Sequence, residues 1–321
     1  MDTISREKIS IGISSCLIGE RVRFDSGHKN NSYITGTLSD YFSFTPFCPE
    51  VSIGLSIPRE PIRLVGIDGE TRCVGTRDAE RDFTDALDQC AQEQHDWHSN
   101  LRGYILKKDS PSCGMERVKL YTEGGPSAPG RNGIGIYANR LMKNFPNLPV
   151  EEEGRLGDAR LRENFIQRVF IYSRWRDMMA ASPELKHIQQ FHARHKYIFM
   201  SHDQEKARAL GAMLADKKGC DIDQLCEQYL SQMTALLKII ASRKNHVNAL
   251  QHIQGYLKNH LDKEDKEEMT QAITQYHRGL LPLIVPITLL RHHFRRNPNE
   301  YISQSFYLKP HPSELMLLNN V

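Results

Sequence analysis

The chain has 321 residues, 39% hydrophobic and 25% charged, which is the make-up of an ordinary globular protein of about two domains' length. Its longest apolar run, Leu280 to Leu290, contains two prolines and falls short of the ~20 residues a bilayer span needs, so no membrane protein is expected. No apolar stretch follows the charged residues at the start of the chain, so a secreted protein is not expected either, and the cytoplasm is the expected compartment.

Seven cysteines, an odd number, then point to reduced thiols or metal ligands rather than a disulfide framework. The net charge of +3 conceals an asymmetry. Residues 1–159 carry 19 Lys/Arg against 23 Asp/Glu, a balance of −4; residues 160–321 carry 23 against 16, a balance of +7, with 11 of the 14 histidines. A basic half of this kind makes nucleic acid a reasonable partner.

In chain order, Ile9 to Ile13 reads as a buried strand ending at Ser14-Ser15-Cys16. Phe42 to Phe47 is a weaker strand, interrupted by Pro46, that leads into Cys48-Pro49-Glu50. Asp78 to His95 has the spacing of an amphipathic helix, with Phe83, Ala86 and Leu87 on one face. Gly103 to Leu106 is a third strand, leading to Ser110-Pro111-Ser112-Cys113-Gly114. Thr122 to Gly135, rich in Gly, Pro and Ser, reads as a substrate-facing loop, and Asn144 to Asp158 as a linker. Strands alternating with helices predict an open, mostly parallel, Rossmann-like α/β sheet over residues 1–159.

The second half, residues 160–321, reads as an all-α domain. Leu161, Phe165, Val169, Tyr172, Trp175 and Met179 mark one helix face, and further helices are expected over 183–200, 204–217, 222–242, 247–261 and 264–277. Asp203, Asp221 and Asp262 stand where N-caps belong.

The chemistry concentrates where the three strands end. If these strands run parallel, Cys16, Cys48 and Cys113 all lie at carboxyl ends, where open α/β sheets build their ligand crevices. Three soft thiolates converging from distant segments suit zinc or an iron–sulfur cluster, whereas three separate thiols would be small buried hydrophobes. A three-cysteine site leaves a coordination position open, a mark of catalytic rather than structural metals. Cys73, as a loop thiol, and Cys90, Cys220 and Cys226 read as structural.

These residues carry a family resemblance. Ser15-Cys16-Leu17 with Gly19 and Arg23-Phe24-Asp25, Cys48-Pro49-Glu50, and Lys107 with Ser110-Pro111-Ser112-Cys113-Gly114 resemble the thiouracil desulfidase (DUF523) family. Phe191-His192, His195-Lys196, Gln251-His252 and the run Pro282 to His293 are similar to the DUF1722 domain. The pair resembles the two-domain tRNA 4-thiouridine desulfidases of the RudS type. The resemblance implies a [4Fe-4S] cluster on Cys16, Cys48 and Cys113 with one open iron for the substrate's sulfur, and a tRNA containing 4-thiouridine as substrate. It further implies that Glu50, two residues after a ligand, manages protons, and that Ser110, three before another, orients water or base. One departure stands out: the family's Arg-Tyr-Asp-Gly-Gly is Arg23-Phe24-Asp25-Ser26-Gly27 here, without the tyrosine hydroxyl.

For the helical half, Arg194, Lys196, Arg291, Arg295 and Arg296 are the expected phosphate-binding residues, with Tyr197, Tyr256 or Tyr301 as stacking surfaces. Its histidines have no evident acidic partner, so core or phosphate-contacting roles are favoured over zinc. Two alternatives stay open. A desulfidase of free thiouracil or thionucleosides would have no use for the basic half. A non-catalytic iron–sulfur protein that binds nucleic acid would need neither Glu50 nor Ser110.

Overall fold

The computed structural model describes residues 7–122, 130–215, 221–312, 315 and 317–319. The chain divides into two compact units, Met1–Gly157 and Asp158–Val321. Among the described residues the first unit holds strands β1 (Ile9–Ser14), β2 (Phe42–Phe47), β3 (Ile62–Ile67), β4 (Glu70–Gly75), β5 (Tyr104–Leu106), β6 (Val118–Thr122), β7 (Gly130–Gly133) and β8 (Val150–Glu152). Its helices are α1 (Ser32–Thr35), α2 (Pro49–Ser52), α3 (Thr84–Glu93), α4 (His95–Ser99) and α5 (Ile136–Asn144).

One sheet has the order β2-β1-β5-β8 and every pairing in it is parallel. β1 is central, and its last four residues are buried, as expected of a parallel strand covered on both faces. Gly12 is required there: a Cβ would come within 2.5 Å of the Tyr104 ring. β2 is an edge strand, where Pro46 costs no ladder hydrogen bond. The chain leaves β1 towards one edge and β5 towards the other, so the crevice between their carboxyl ends is a topological switch point.

Several expectations need correction. A second sheet, order β4-β3-β6-β7, is mixed: β3 pairs antiparallel with β4 and parallel with β6, and β6 pairs antiparallel with β7. β7 falls within the expected loop over 122–135, of which residues 123–129 lie outside the described residues. The helix expected from Asp78 begins only at Thr84, because Asp78 and Asp82 accept hydrogen bonds from the backbone of Glu80 and Thr84 and hold a turn instead. Cys73 is a buried strand thiol packed on Leu64, Leu87, Val118 and Ile136, not a loop thiol. The expected linker contains β8, and the glutamates there and just after it are satisfied within the unit. Glu151 accepts from Arg155 (2.6 Å), Glu152 from the Met115 N–H (2.8 Å), and Glu153 from Lys107 and the Lys108 N–H.

The second unit is helical: α6 (Ala159–Ala180), α7 (Leu185–His202), α8 (Gln204–Ala212), α9 (Ile222–Leu237), α10 (Arg243–Gln254), α11 (Lys263–His277), α12 (Ile284–Arg296) and α13 (Glu300–Ser303). The side chains of Asp203, Asp221 and Asp262 accept from the first-turn N–H groups of α8, α9 and α11, the capping their positions predict. The helix expected over 222–242 stops at Leu237, and α10 starts early at Arg243, because Ser242 caps it by accepting from the Asn245 N–H at 3.2 Å. Trp175, Phe191 and Tyr229 lie at the centre of the core, with the Trp175 and Tyr229 rings stacked at 5.2 Å. No helix among the described residues is long and apolar enough to cross a membrane.

Candidate functional site

Cys16, Cys48 and Cys113 line one cavity of about 530 Å³ at the carboxyl edge of the parallel sheet. Each is delivered by the turn after its strand. Cys16 lies in a short 3₁₀ turn that ends at Gly19, whose φ of +100° a side chain would strain. Cys48 is the N-cap of α2, with Pro49 at its first position, and its carbonyl accepts from the Ser52 N–H at 3.0 Å. Cys113 sits in a turn closed by Ser110, whose hydroxyl accepts from the Cys113 N–H at 3.1 Å and the Ser112 N–H at 3.3 Å. That turn rests on the start of α5: Gly135 donates to the Gly114 carbonyl, Ile136 to Pro111 and Ala138 to Ser112. A Cβ on Gly135 would meet the Ser112 carbonyl oxygen at 2.5 Å, so only glycine allows this approach.

Burial pushes the Cys16 thiol up to about 11, while Lys107 and Arg23 pull it the other way. Burial raises Cys48 and Cys113 as well, and in Cys113 the nearby Cys48 adds to it. The three groups are therefore neutral thiols at neutral pH, and a soft metal would have to displace their protons. Among the described residues, Asp265, Glu268 and His293 are the one trio of His, Cys, Asp or Glu ligand atoms all within 4.8 Å of one another. The three cysteine sulfurs therefore do not all lie within 4.8 Å of one another. Three thiols spread around a cavity fit a multinuclear cluster.

Glu50 reaches the same cavity from the first turn of α2. Its Oε2 accepts from Arg59 Nη2 at 2.6 Å and Nε at 3.0 Å; its Oε1 accepts from the Ser112 hydroxyl at 2.7 Å. The pair is well covered, with side-chain exposures of 6% for Arg59 and 15% for Glu50. Arg59 also donates to the carbonyls of Val22 and Ser56, which fixes its fork. Ser112 lies 3.0 Å from the Ser110 hydroxyl and 3.6 Å from the Cys113 sulfur. A continuous chain, Arg59 to Glu50 to Ser112, thereby ends beside a cysteine.

The motif reading points to Ser110, and Ser110 lines the cavity; the hydroxyl on Glu50, however, is that of Ser112. Ser112 was available in the same motif. Arg59 carried no signal, since its neighbours Pro58, Glu60 and Pro61 form no recognisable pattern. Phe24 also lines the cavity, 39% exposed, where the family has tyrosine. Ser26 has a φ of +58°, a left-handed conformation that explains glycine at that place in the family's motif.

In the helical unit, Arg194, Lys196, Arg295 and Arg296 are exposed. Arg194 leans on the Phe306 ring at 4.5 Å, and Lys196 on Tyr197 at 5.7 Å. Arg291 differs: it is half-buried and its Nε donates to the Leu308 carbonyl at 2.5 Å, so it braces the fold. Tyr197 is buried, whereas Tyr256 and Tyr301 stack at 5.8 Å, with Tyr256 38% exposed. His192, partly buried, and His246, buried, pair with the hydroxyls of Tyr229 and Tyr307, both at 2.9 Å. Cys90 and Cys226 are buried, as structural thiols should be, and Cys220 lies outside the described residues.

A parallel α/β sheet whose switch point gathers three thiols, a carboxylate and an arginine defines a thiol-based α/β domain, followed by an all-α unit. Comparison with known proteins resolves both. The 2-thiouracil desulfurase family matches residues 11–153, and the family described as a protein of unknown function, DUF1722, matches residues 196–312. The chain belongs to the group that joins these two families, desulfurase domain first. Uncharacterized protein YbgA of Escherichia coli (strain K12) is 30% identical over 128 residues, which is 40% of this chain and 76% of YbgA. Uncharacterized protein YbbK of Bacillus subtilis (strain 168) is 33% identical over 152 residues, 46% of this chain and 97% of YbbK. A solved structure of a [4Fe-4S]-dependent thiouracil desulfidase, TudS, is 28% identical, covering 47% of this chain and 94% of its own, with a TM-score of 0.37.

Proposed function

We propose that the protein is an iron–sulfur desulfidase that converts 4-thiouridine in tRNA to uridine, with a [4Fe-4S] cluster on Cys16, Cys48 and Cys113. The observation that carries this reading is the meeting of three thiols and Glu50, drawn from distant segments, in one cavity. Membership of the desulfurase family supports the reaction class, and three soft thiols around one cavity suit an iron–sulfur cluster. A cluster held by three cysteines supplies an open iron, a soft Lewis acid for a thiocarbonyl sulfur.

The net reaction is hydrolytic: water oxygen bonds to the ring carbon, the C–S bond breaks, and the two water protons leave with sulfur as hydrogen sulfide. Glu50 is the residue to take a proton from that water and pass it on, and Arg59 holds its carboxylate in place with two hydrogen bonds to one oxygen. Ser112 fixes the other carboxylate oxygen, so the base is locked from both sides. Lys107 and Arg23, both in the cavity wall, favour anionic sulfur. Phe24 offers a ring face on which a thiolated pyrimidine stacks.

The balance of +7 after residue 159 and the exposed Arg194, Lys196, Arg295 and Arg296 support RNA as the carrier of the thiolated base. Phosphate contacts release counterions, so log K for tRNA should fall linearly with log salt concentration. The test uses anaerobically reconstituted full-length protein and nucleoside analysis of treated tRNA, beside sulfide release from free thiouracil. We expect 4-thiouridine loss from tRNA and, in the Arg295→Ala/Arg296→Ala protein, weaker tRNA binding with a shallower salt slope and undiminished turnover of thiouracil. Turnover of thiouracil with no loss of 4-thiouridine from tRNA would overturn the substrate assignment. Absence of sulfide from both would overturn the activity.

A further inference from the structure

The helical unit carries a concentration of ligand atoms unrelated to the thiol-lined cavity. Asp265 and Glu268 stand three residues apart in the first half of α11, so their carboxylates share one face. His293 of α12 completes the group: one ligand atom of each residue lies within 4.8 Å of the others. His293 is only 3% exposed, and its Nε2 is buried without a hydrogen-bond partner among the described residues. Leaving a buried ring nitrogen unpaired costs about 1–3 kcal/mol. His98, His195 and His311 also leave one ring nitrogen unpaired, but each of them, like His202 and His246, bonds through the other or through both; among the described buried histidines His293 alone has no ring hydrogen bond. Neither carboxylate has a Lys or Arg partner among the described residues. Two uncompensated carboxylates and a starved imidazole therefore face one another across a helix pair.

We propose that Asp265, Glu268 and His293 bind a divalent first-row transition ion that ties α11 to α12. Two carboxylate oxygens and one imidazole nitrogen suit Mn²⁺, Fe²⁺, Co²⁺ or Zn²⁺; Ca²⁺ would prefer an all-oxygen site, and Cu⁺ would prefer sulfur. Ligand bonds of ~2.1 Å bring donors to about 3 Å from one another, so side-chain rotation closes the present spacing. Three protein donors leave the remaining positions to water. Glu268 is exposed and Asp265 half-buried, so an ion reaches the site from solvent while His293 anchors it from the core. A search for acids beside histidines along the sequence passes over this trio, because His293 is 25 residues from Glu268.

Mn²⁺ is the probe of choice, because thiols compete poorly for it and its free aqua ion gives an electron paramagnetic resonance signal that vanishes on binding. Full-length protein with its thiol-lined site reconstituted is titrated with Mn²⁺, and its thermal unfolding is followed with and without the ion. We expect one bound Mn²⁺ per chain and a higher melting temperature on binding. Asp265→Asn and Glu268→Gln should each weaken binding ~10-fold or more and abolish the temperature rise. Neither side chain is buried, and both changes are isosteric, so iron content and metal-free melting temperature should match the parent. His293→Gln should lose binding too; since it alters the core, the carboxylate variants decide. A parent that binds no Mn²⁺, or carboxylate variants that bind it as the parent does, would overturn the assignment.

Discussion

Glu50 is held by a guanidinium on one oxygen and a serine hydroxyl on the other, and neither partner is adjacent to it in sequence. The isosteric change Glu50→Gln removes the base but keeps the size. It should leave iron content unaltered and slow desulfuration by ~10²-fold or more, measured as sulfide released per cluster. Parent-like turnover would move proton management to another group, with Asp25 the next to test. Ser112→Ala frees one carboxylate oxygen and should lower turnover without loss of iron, by less than Glu50→Gln; equal rates with the parent would deny Ser112 its positioning role. The residues that could be read in advance are those whose chemistry is local. A cysteine after a strand and a glutamate two places on form a pattern in one dimension. Arg59 meets Glu50 only because the chain turns back after α2, and no residue type at position 59 announces that.

At the scale of elements, the turn that presents Cys113 is set by a helix start rather than by its own strand. Gly135 lets the first residues of α5 donate to the carbonyls of Pro111, Ser112 and Gly114. Gly135→Ala places a methyl group 2.5 Å from the Ser112 carbonyl and 2.8 Å from the Cys113 nitrogen. It should displace the turn and reduce iron bound per chain after anaerobic reconstitution, with far-UV circular dichroism unchanged. Full iron loading in this variant would show that the turn adapts. The same scale explains why no linker stands before the second unit: Glu151, Glu152 and Glu153 lie within the expected linker over 144–158, yet each is paired or accepts a backbone N–H within the first unit. Ser242 is a helix start of the same kind as Asp203 and Asp221, and it stands at the last position of the helix expected over 222–242.

Across the whole molecule, the histidines tie stability to pH. Burial pushes His202 and His192 down to about 4 and His246 down to about 3. All three stay neutral in the fold while the unfolded chain protonates near 6.5, so below that pH the unfolded state binds more protons. Their stabilising contribution is fully present above pH 6.5 and is lost as the pH falls towards 4. Each costs about 1 kcal/mol at pH 5.5 by linkage. Thermal melts at pH 7.5 and 5.5 should therefore show a lower transition at the acid end, and His246→Gln should shrink that difference. A transition independent of pH, or one equally dependent in His246→Gln, would mean that these groups titrate normally.

By itself the sequence determined the class of each half, the capping aspartates and the three cysteines with Glu50, because each of these depends on periodicity or on neighbours within a few residues. Tertiary structure alone decided that the cysteines share one cavity, that Arg59 and Ser112 hold Glu50, that a second, mixed sheet exists, and that His293 meets Asp265 and Glu268. Those facts depend on which distant segments come to lie side by side. That is settled by apolar burial summed over a whole unit and by backbone hydrogen bonds between strands, and the residues so joined carry no mark of one another along the chain.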